Sequence, residues 1–232
     1  MYRYPDYDDK NLSTNVINQD WEDCGLEDQY IRESIQKIPE YHRNGLLDVG
    51  CGQGRLLPYF KDCFKSIVAI EPDPYRLEDA KKALMPVSNI QFIHAFIQQF
   101  TFPKKFDFVV CSHLIQHMPT DEIGNILSTV LSFMKPHAHL MLSTTNWPDD
   151  VDQFEIRNTL NNEFKIVSEA EFNECAKMSD RRLPTRHFSE KTLIQLLTDA
   201  QFDILFLKKY HGFPKIRGDN FILAKMKLAH LD

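Results

Sequence analysis

The sequence predicts an α/β protein built on a doubly wound, largely parallel sheet. Three observations carry this. Short apolar runs ("GLLDVG", "SIVAIE", "IQFIHA", "FDFVVC", "AHLMLST") alternate with helix-compatible segments ("QGRLLPYFKDCF", "PYRLEDAKKAL", "TDEIGNILSTVLSFM"). The runs are almost continuously apolar, which suits strands covered by helices on both faces. And three of the chain's eight glycines, Gly50, Gly52 and Gly54, fall directly after the first run.

The remaining elements follow in order. Residues 1–26 form a polar N-terminal arm bearing Tyr2, Tyr4, Tyr7 and Trp21, and 27–232 read as one domain. "EDQYIRESIQKIP" places Tyr30, Ile31, Ile35 and Ile38 at helical spacing ahead of the first strand. Residues 146–186 break the rhythm, being polar and charge-rich, and read as a lid-like insertion holding Trp147, Phe154, Phe164 and Phe172. A last helix at about 189–200, with Ser189 as N-cap, precedes "FDILFLKKY" and "NFILAKM", an antiparallel edge hairpin across Gly212, Pro214 and Gly218.

Composition excludes several classes. With 232 residues, 43% hydrophobic and 26% charged, the chain has the make-up of an ordinary globular protein able to bury a core. A net charge of −6 gives no electrostatic footprint for nucleic acid. The first residues lack the basic start and apolar stretch of a secretion signal, and no run suits a membrane span. Five scattered cysteines without a C-x-x-C pair argue against a disulfide framework or zinc site and for a reducing cytoplasm.

A glycine inside a regular element costs about 0.5–1 kcal/mol relative to alanine. Three within five positions therefore imply a backbone that turns tightly and lets a ligand approach, with the following helix offering free N–H groups. The spacing is G-x-G-x-G after Asp48, not G-x-G-x-x-G, because Arg55 takes the next position; no Gly-Lys-Ser/Thr phosphate loop is present. The ligand expected is one without pyrophosphate. Glu71, ending the second apolar run, stands where a carboxylate accepts from both ribose hydroxyls; the competing reading is a cap for the helix starting near Pro74.

These motifs, with "FDFVVCSHLIQHM" and "RHFSEKTLIQLLTDAQF", resemble the class I S-adenosylmethionine-dependent methyltransferases over residues 27–227. The resemblance implies seven strands, six parallel and the last antiparallel, and S-adenosyl-L-methionine as cofactor, released as S-adenosyl-L-homocysteine. It implies that Asp48, Gly50, Cys51 and Gly52 line the methionine end, that Glu71 holds the ribose and that Pro72 flanks the adenine. An acidic residue usual after the third strand is replaced by Ala95-Phe96, so Phe96, the Ile97 amide or Gln98 would hold the adenine instead.

An activated sulfonium needs mainly a positioned nucleophile, and a base only where the acceptor must lose a proton. Cys111 and Ser112 sit at the carboxyl end of the fourth run, where open α/β sheets bind ligands. His113 and His117 are candidate bases, sharing a face if the turn between them is helical. No carboxylate stands at metal-ligand spacing from them. Arg181, Arg182 and Arg186 either meet an anionic acceptor or form a solvated basic turn. The function expected is methylation of a small molecule by a cytoplasmic monomer or homodimer, without nucleic-acid or membrane partners. A protein N-terminal amine methyltransferase and a cofactor-binding protein without methyl transfer are the alternatives.

Overall fold

The computed structural model describes residues 26–161, 163–178, 182–210 and 218–227. The aromatic arm, Cys24, Arg181, Gly212 and Pro214 lie outside them. Strands β1 (Gly45–Val49), β2 (Ser66–Glu71), β3 (Ile90–His94), β4 (Phe106–Ser112) and β5 (Met134–Asn146) match the five apolar runs. With β9 (Phe202–Tyr210) and β10 (Gly218–Met226) they form a seven-stranded sheet ordered β3-β2-β1-β4-β5-β10-β9. Pairing is parallel from β3 to β5, and β10 is antiparallel to both neighbours. Six parallel strands and an antiparallel last one are the expected arrangement.

Period-two alternation sorts the strand side chains into two core layers. Leu47, Val49, Val109 and Cys111 pack with helices α4 (Ile123–Ser132) and α6 (Glu190–Asp199). Leu46, Phe108 and Val110 point the other way, to α1 (Leu26–Gln36), α2 (Leu57–Phe60) and α3 (Pro74–Leu84). α2 is far shorter than "QGRLLPYFKDCF" suggested, because the glycine turn occupies the segment's start and Pro58 lies in the helix's first turn. Ser189 caps α6 as expected, its Oγ accepting from the Thr192 amide.

The segment that broke the sequence rhythm is regular. β6 (Gln153–Asn158), β7 (Phe164–Ile166) and β8 (Arg182–His187) form a separate antiparallel sheet, ordered β7-β6-β8, with α5 (Glu169–Ala176) against it. β8 sits against the turn after β4 and the end of β5. Among the described residues no helix is long and apolar enough to cross a membrane.

Candidate active site

The strand order reverses between β1 and β4, and ligands of open α/β sheets bind at the carboxyl ends of strands at such a switch point. The glycine turn leaves β1 there. Gly50, Gly52 and Gly54 all have positive φ (73°, 56° and 81°), the left-handed region that costs other residues about 1–2 kcal/mol. The Gly50 and Cys51 amides are tied to the Ile70 carbonyl at 2.9 and 3.0 Å, folding the turn back on β2.

Glu71 pins the same turn from the end of β2. Its Oε2 accepts from the Gly52 amide at 2.8 Å and its Oε1 from the Asp73 amide at 3.0 Å. The helix-cap reading is answered by its neighbour: Asp73 is the N-cap of α3, accepting from the Tyr75 and Arg76 amides. Burial raises the Glu71 pKa, against the opposing pull of the Arg76 guanidinium. Asp48, buried on β1, is pushed up to about 7 by burial and by the Glu71 charge. Two carboxylates, short of solvent and beside a bare glycine backbone, form a site that favours a ligand carrying hydroxyl donors and a positive charge.

Two arginines near the turn escaped the sequence reading. Arg55 makes a bidentate bond to Glu27, its Nη2 lying 2.9 Å from Oε1, which fastens α1 to the glycine turn. Arg76 lies across Gly52: a Cβ there would come within 2.5 Å of Nη2. Only a resolved tertiary fold brings residues 28 and 24 positions apart together in this way.

Other expected contacts are sorted by the structure. The Pro72 carbonyl accepts from His94 Nε2 at 2.9 Å, holding β3 to the start of α3. Phe96 and Gln98 are exposed, whereas the Ile97 side chain is in the core, so only its backbone is offered to a ligand. Cys111 requires a correction: its side chain points into the α4/α6 core layer, because β4 alternation turns it away from the crevice. Burial pushes its thiol up to about 12, and that of Cys51 well above the usual range, so neither is a nucleophile. Ser112 Oγ bonds Ser143 Oγ at 2.7 Å across β4 and β5.

His113 and His117 do not share a helical face. His113 has φ 50° and precedes a 3-10 turn at Ile115–His117. The two are joined instead through Gln116. His113 Nδ1 donates to Gln116 Oε1 (3.2 Å), Gln116 Nε2 donates to His117 Nε2 (3.4 Å), and His117 Nδ1 donates to the Pro184 carbonyl on β8 (2.7 Å). Gln116 Oε1 also accepts from the Thr145 amide at 3.1 Å. Burial pushes the His117 pKa down to about 4, so it is neutral at pH 7. Arg186 corrects the basic-turn reading: it lies on β8, paired with Asp152 and set against the rings of Phe154 and Phe188 at 5.3 and 4.6 Å.

This fold, with a glycine cradle between two carboxylates at the switch point, is that of the class I S-adenosylmethionine-dependent methyltransferases. The chain belongs to the methyltransferase domain family, whose model matches residues 26–206. It is 32% identical over 103 residues to the mitochondrial ubiquinone biosynthesis O-methyltransferase of Schizosaccharomyces pombe, covering 43% of this chain and 37% of that one. An uncharacterized methyltransferase of Staphylococcus carnosus is 20% identical over 159 residues, 68% of this chain and 72% of that one. The chain thus spans well under half of the ubiquinone enzyme it matches. Among solved structures, 1,6-didemethyltoxoflavin-N1-methyltransferase of Burkholderia thailandensis superposes with a TM-score of 0.65 at 14% identity, covering 94% of this chain and 86% of that one. The N-methyltransferase NodS of Bradyrhizobium japonicum does so at 0.63 and 14%, covering 95% and 99%.

Proposed function

We propose that the protein transfers a methyl group from S-adenosyl-L-methionine to a small-molecule acceptor. The observation that carries this reading is the small sheet set against the carboxyl ends of β4 and β5, whose own polar side chains Glu155, Thr185 and His187 are at most 9% exposed. Strand ends covered by such a sheet suit a compact acceptor better than a polypeptide. The named relative from Schizosaccharomyces pombe, a ubiquinone biosynthesis O-methyltransferase, agrees with a small acceptor.

The residues present fit the cofactor. The Gly50–Gly52 backbone would allow its close approach, Asp48 would meet its ammonium end, and Glu71 would accept from its ribose hydroxyls. When bound, the cofactor supplies a methyl group on a positively charged sulfur, already activated for displacement. The protein's own part is to align the acceptor and exclude water, and alignment alone is worth many orders of magnitude. His117 serves as a strut to the lid strand, through its bond to the Pro184 carbonyl, and His113 is set by Gln116.

The test is incubation with methyl-tritiated cofactor and separate pools of small metabolites and of peptides. Label in the metabolite fraction supports the proposal. Label on peptide amino termini overturns it in favour of a protein N-terminal methyltransferase. S-adenosylhomocysteine binding with label in neither pool leaves a cofactor-binding protein.

A further inference from the structure

The two faces of the small sheet differ. In the antiparallel register Gln153 opposes His187, Glu155 opposes Thr185 and Arg157 opposes Leu183, so these six side chains share one face. The opposite face carries Phe154, Ile156, Pro184 and Arg186, with Phe154 against Phe172 of α5 at 5.2 Å. The apolar face is therefore covered by the insertion's own helix. Its partner face is polar, yet Glu155 and His187 are only 2% and 1% exposed.

Burying polar groups is unfavourable unless hydrogen bonds replace those lost to water. His187 stands out here, because neither ring nitrogen has a hydrogen-bond partner among the described residues. Its Nε2 lies 3.6 Å from Glu155 Oε2, and Trp147 meets its ring edge-on with centroids 5.2 Å apart. This strand end lies at the carboxyl edge of the large sheet: the amide of Phe188, next to His187, donates to the Thr145 carbonyl of β5 at 2.9 Å, and the Pro184 carbonyl of β8 accepts from His117 Nδ1, in the turn that follows β4, at 2.7 Å. A buried histidine with a carboxylate 3.6 Å from one nitrogen and no hydrogen-bond partner on the other among the described residues has the makings of an oriented base.

We propose that His187, oriented by Glu155, is the general base that deprotonates the methyl acceptor, a hydroxyl or a protonated amine; this rests on the small-molecule methyltransferase reading above. The acceptor O–H or N–H gives its proton to His187 Nδ1. The acceptor lone pair forms the new bond to the methyl carbon, and the old carbon–sulfur bond breaks with its electron pair remaining on sulfur. The proton then leaves His187 for solvent, so no further reactant is needed. Among the described residues, the charged and titratable groups on the face that carries His187 are Glu155 and Arg157 from β6, and His117 stands in the turn that β8 packs against.

The experiment compares wild type, His187→Gln, His187→Ala and Glu155→Gln. Calorimetry with S-adenosylhomocysteine reads cofactor binding, and label transfer to the metabolite pool from pH 6 to 10 reads chemistry. The expected result is affinity within about twofold of wild type and a loss of roughly 10²–10⁴-fold in rate at pH 7 for His187→Gln. That loss should shrink as pH rises, and added imidazole should restore part of the rate of His187→Ala. Glu155→Gln should show a smaller loss of the same pH dependence. A wild-type rate in both His187 variants, or a deficit equal at every pH and untouched by imidazole, overturns the proposal while the methyltransferase reading stands. A wild type that binds S-adenosylhomocysteine and labels no metabolite removes that reading, and this one with it.

Discussion

Glu71 Oε2 accepts the Gly52 amide hydrogen at 2.8 Å, so the end of β2 holds the turn that leaves β1. One carboxylate thus shapes the cradle and, in the proposed function, would also meet its ligand. Glu71→Ala should weaken S-adenosylhomocysteine binding by about 1.5–3 kcal/mol, the usual worth of hydrogen bonds to a charged group, and should also lower the melting temperature. Calorimetry beside thermal denaturation separates the two effects. Lower stability with unchanged affinity would return Glu71 to a purely structural part.

The glycines of the turn should fail differently. At Gly52 a new Cβ meets the movable end of Arg76, within 2.5 Å of Nη2. At Gly54 it meets Leu84 Cδ1 at 3.1 Å and the Ala80 Cβ at 3.2 Å, inside the packing against α3. Gly52→Val is expected to abolish cofactor binding in a folded protein. Gly54→Ala should chiefly cost stability, on the order of 1–3 kcal/mol from strain and overpacking. Denaturant melts and calorimetry on both variants check the contrast, and equal stability losses would refute it.

Asp48 gives the ligand-free protein a distinctive pH response. Its folded pKa, about 7, lies well above the ordinary carboxylate value of 3.8. The stability this group contributes is complete below the unfolded pKa and is lost as pH climbs through the folded one, roughly 4 kcal/mol at most by linkage. Asp48→Asn should therefore melt higher than wild type at pH 8 without ligand, yet bind S-adenosylhomocysteine more weakly. Wild-type affinity should rise between pH 6 and 8 as the carboxylate ionises to meet the ligand's ammonium group. A flat affinity profile over that range would count against Asp48 as its partner.

His117 has the opposite sign. Its folded pKa of about 4 lies below the ordinary histidine value of 6.5, so its contribution is complete above the unfolded pKa and fades as pH falls toward 4. The full span is about 3 kcal/mol. His117→Gln should be less stable than wild type at pH 7.5, with the gap closing by pH 4.5. Because His117 acts here as a strut, folded His117→Gln and His113→Ala should each keep measurable label transfer. Complete, pH-independent loss in both would make the pair an essential unit.

Much of this was legible in the chain. Continuous apolar runs and the G-x-G-x-G spacing report local chemistry, and they led to the sheet, the cradle and Glu71. The small sheet was not legible, because "QFEIRN" and "RLPTRH" mix charged and apolar residues and "FKI" is only three residues long. Its inner face is polar, which hides the usual alternation signal. Gln116 was missed for a related reason: nothing in "LIQHM" shows that an amide bridges two histidines across a 3-10 turn. Cys111 was misplaced because a run with both faces covered gives no hint of which core layer each residue joins.

The insertion that carries β6 to β8 begins and ends on one residue. Phe188 N donates to the Thr145 carbonyl at 2.9 Å, and Thr145 Oγ1 donates to the Arg186 carbonyl at 3.2 Å. The chain leaves the large sheet just after Thr145 and returns beside it. Such adjoining ends are the geometry of an exchangeable cassette, for which replacement requires no new crossing of the sheet. A change in the length or sequence of this segment therefore leaves the strand order and the glycine turn of the large sheet as they are.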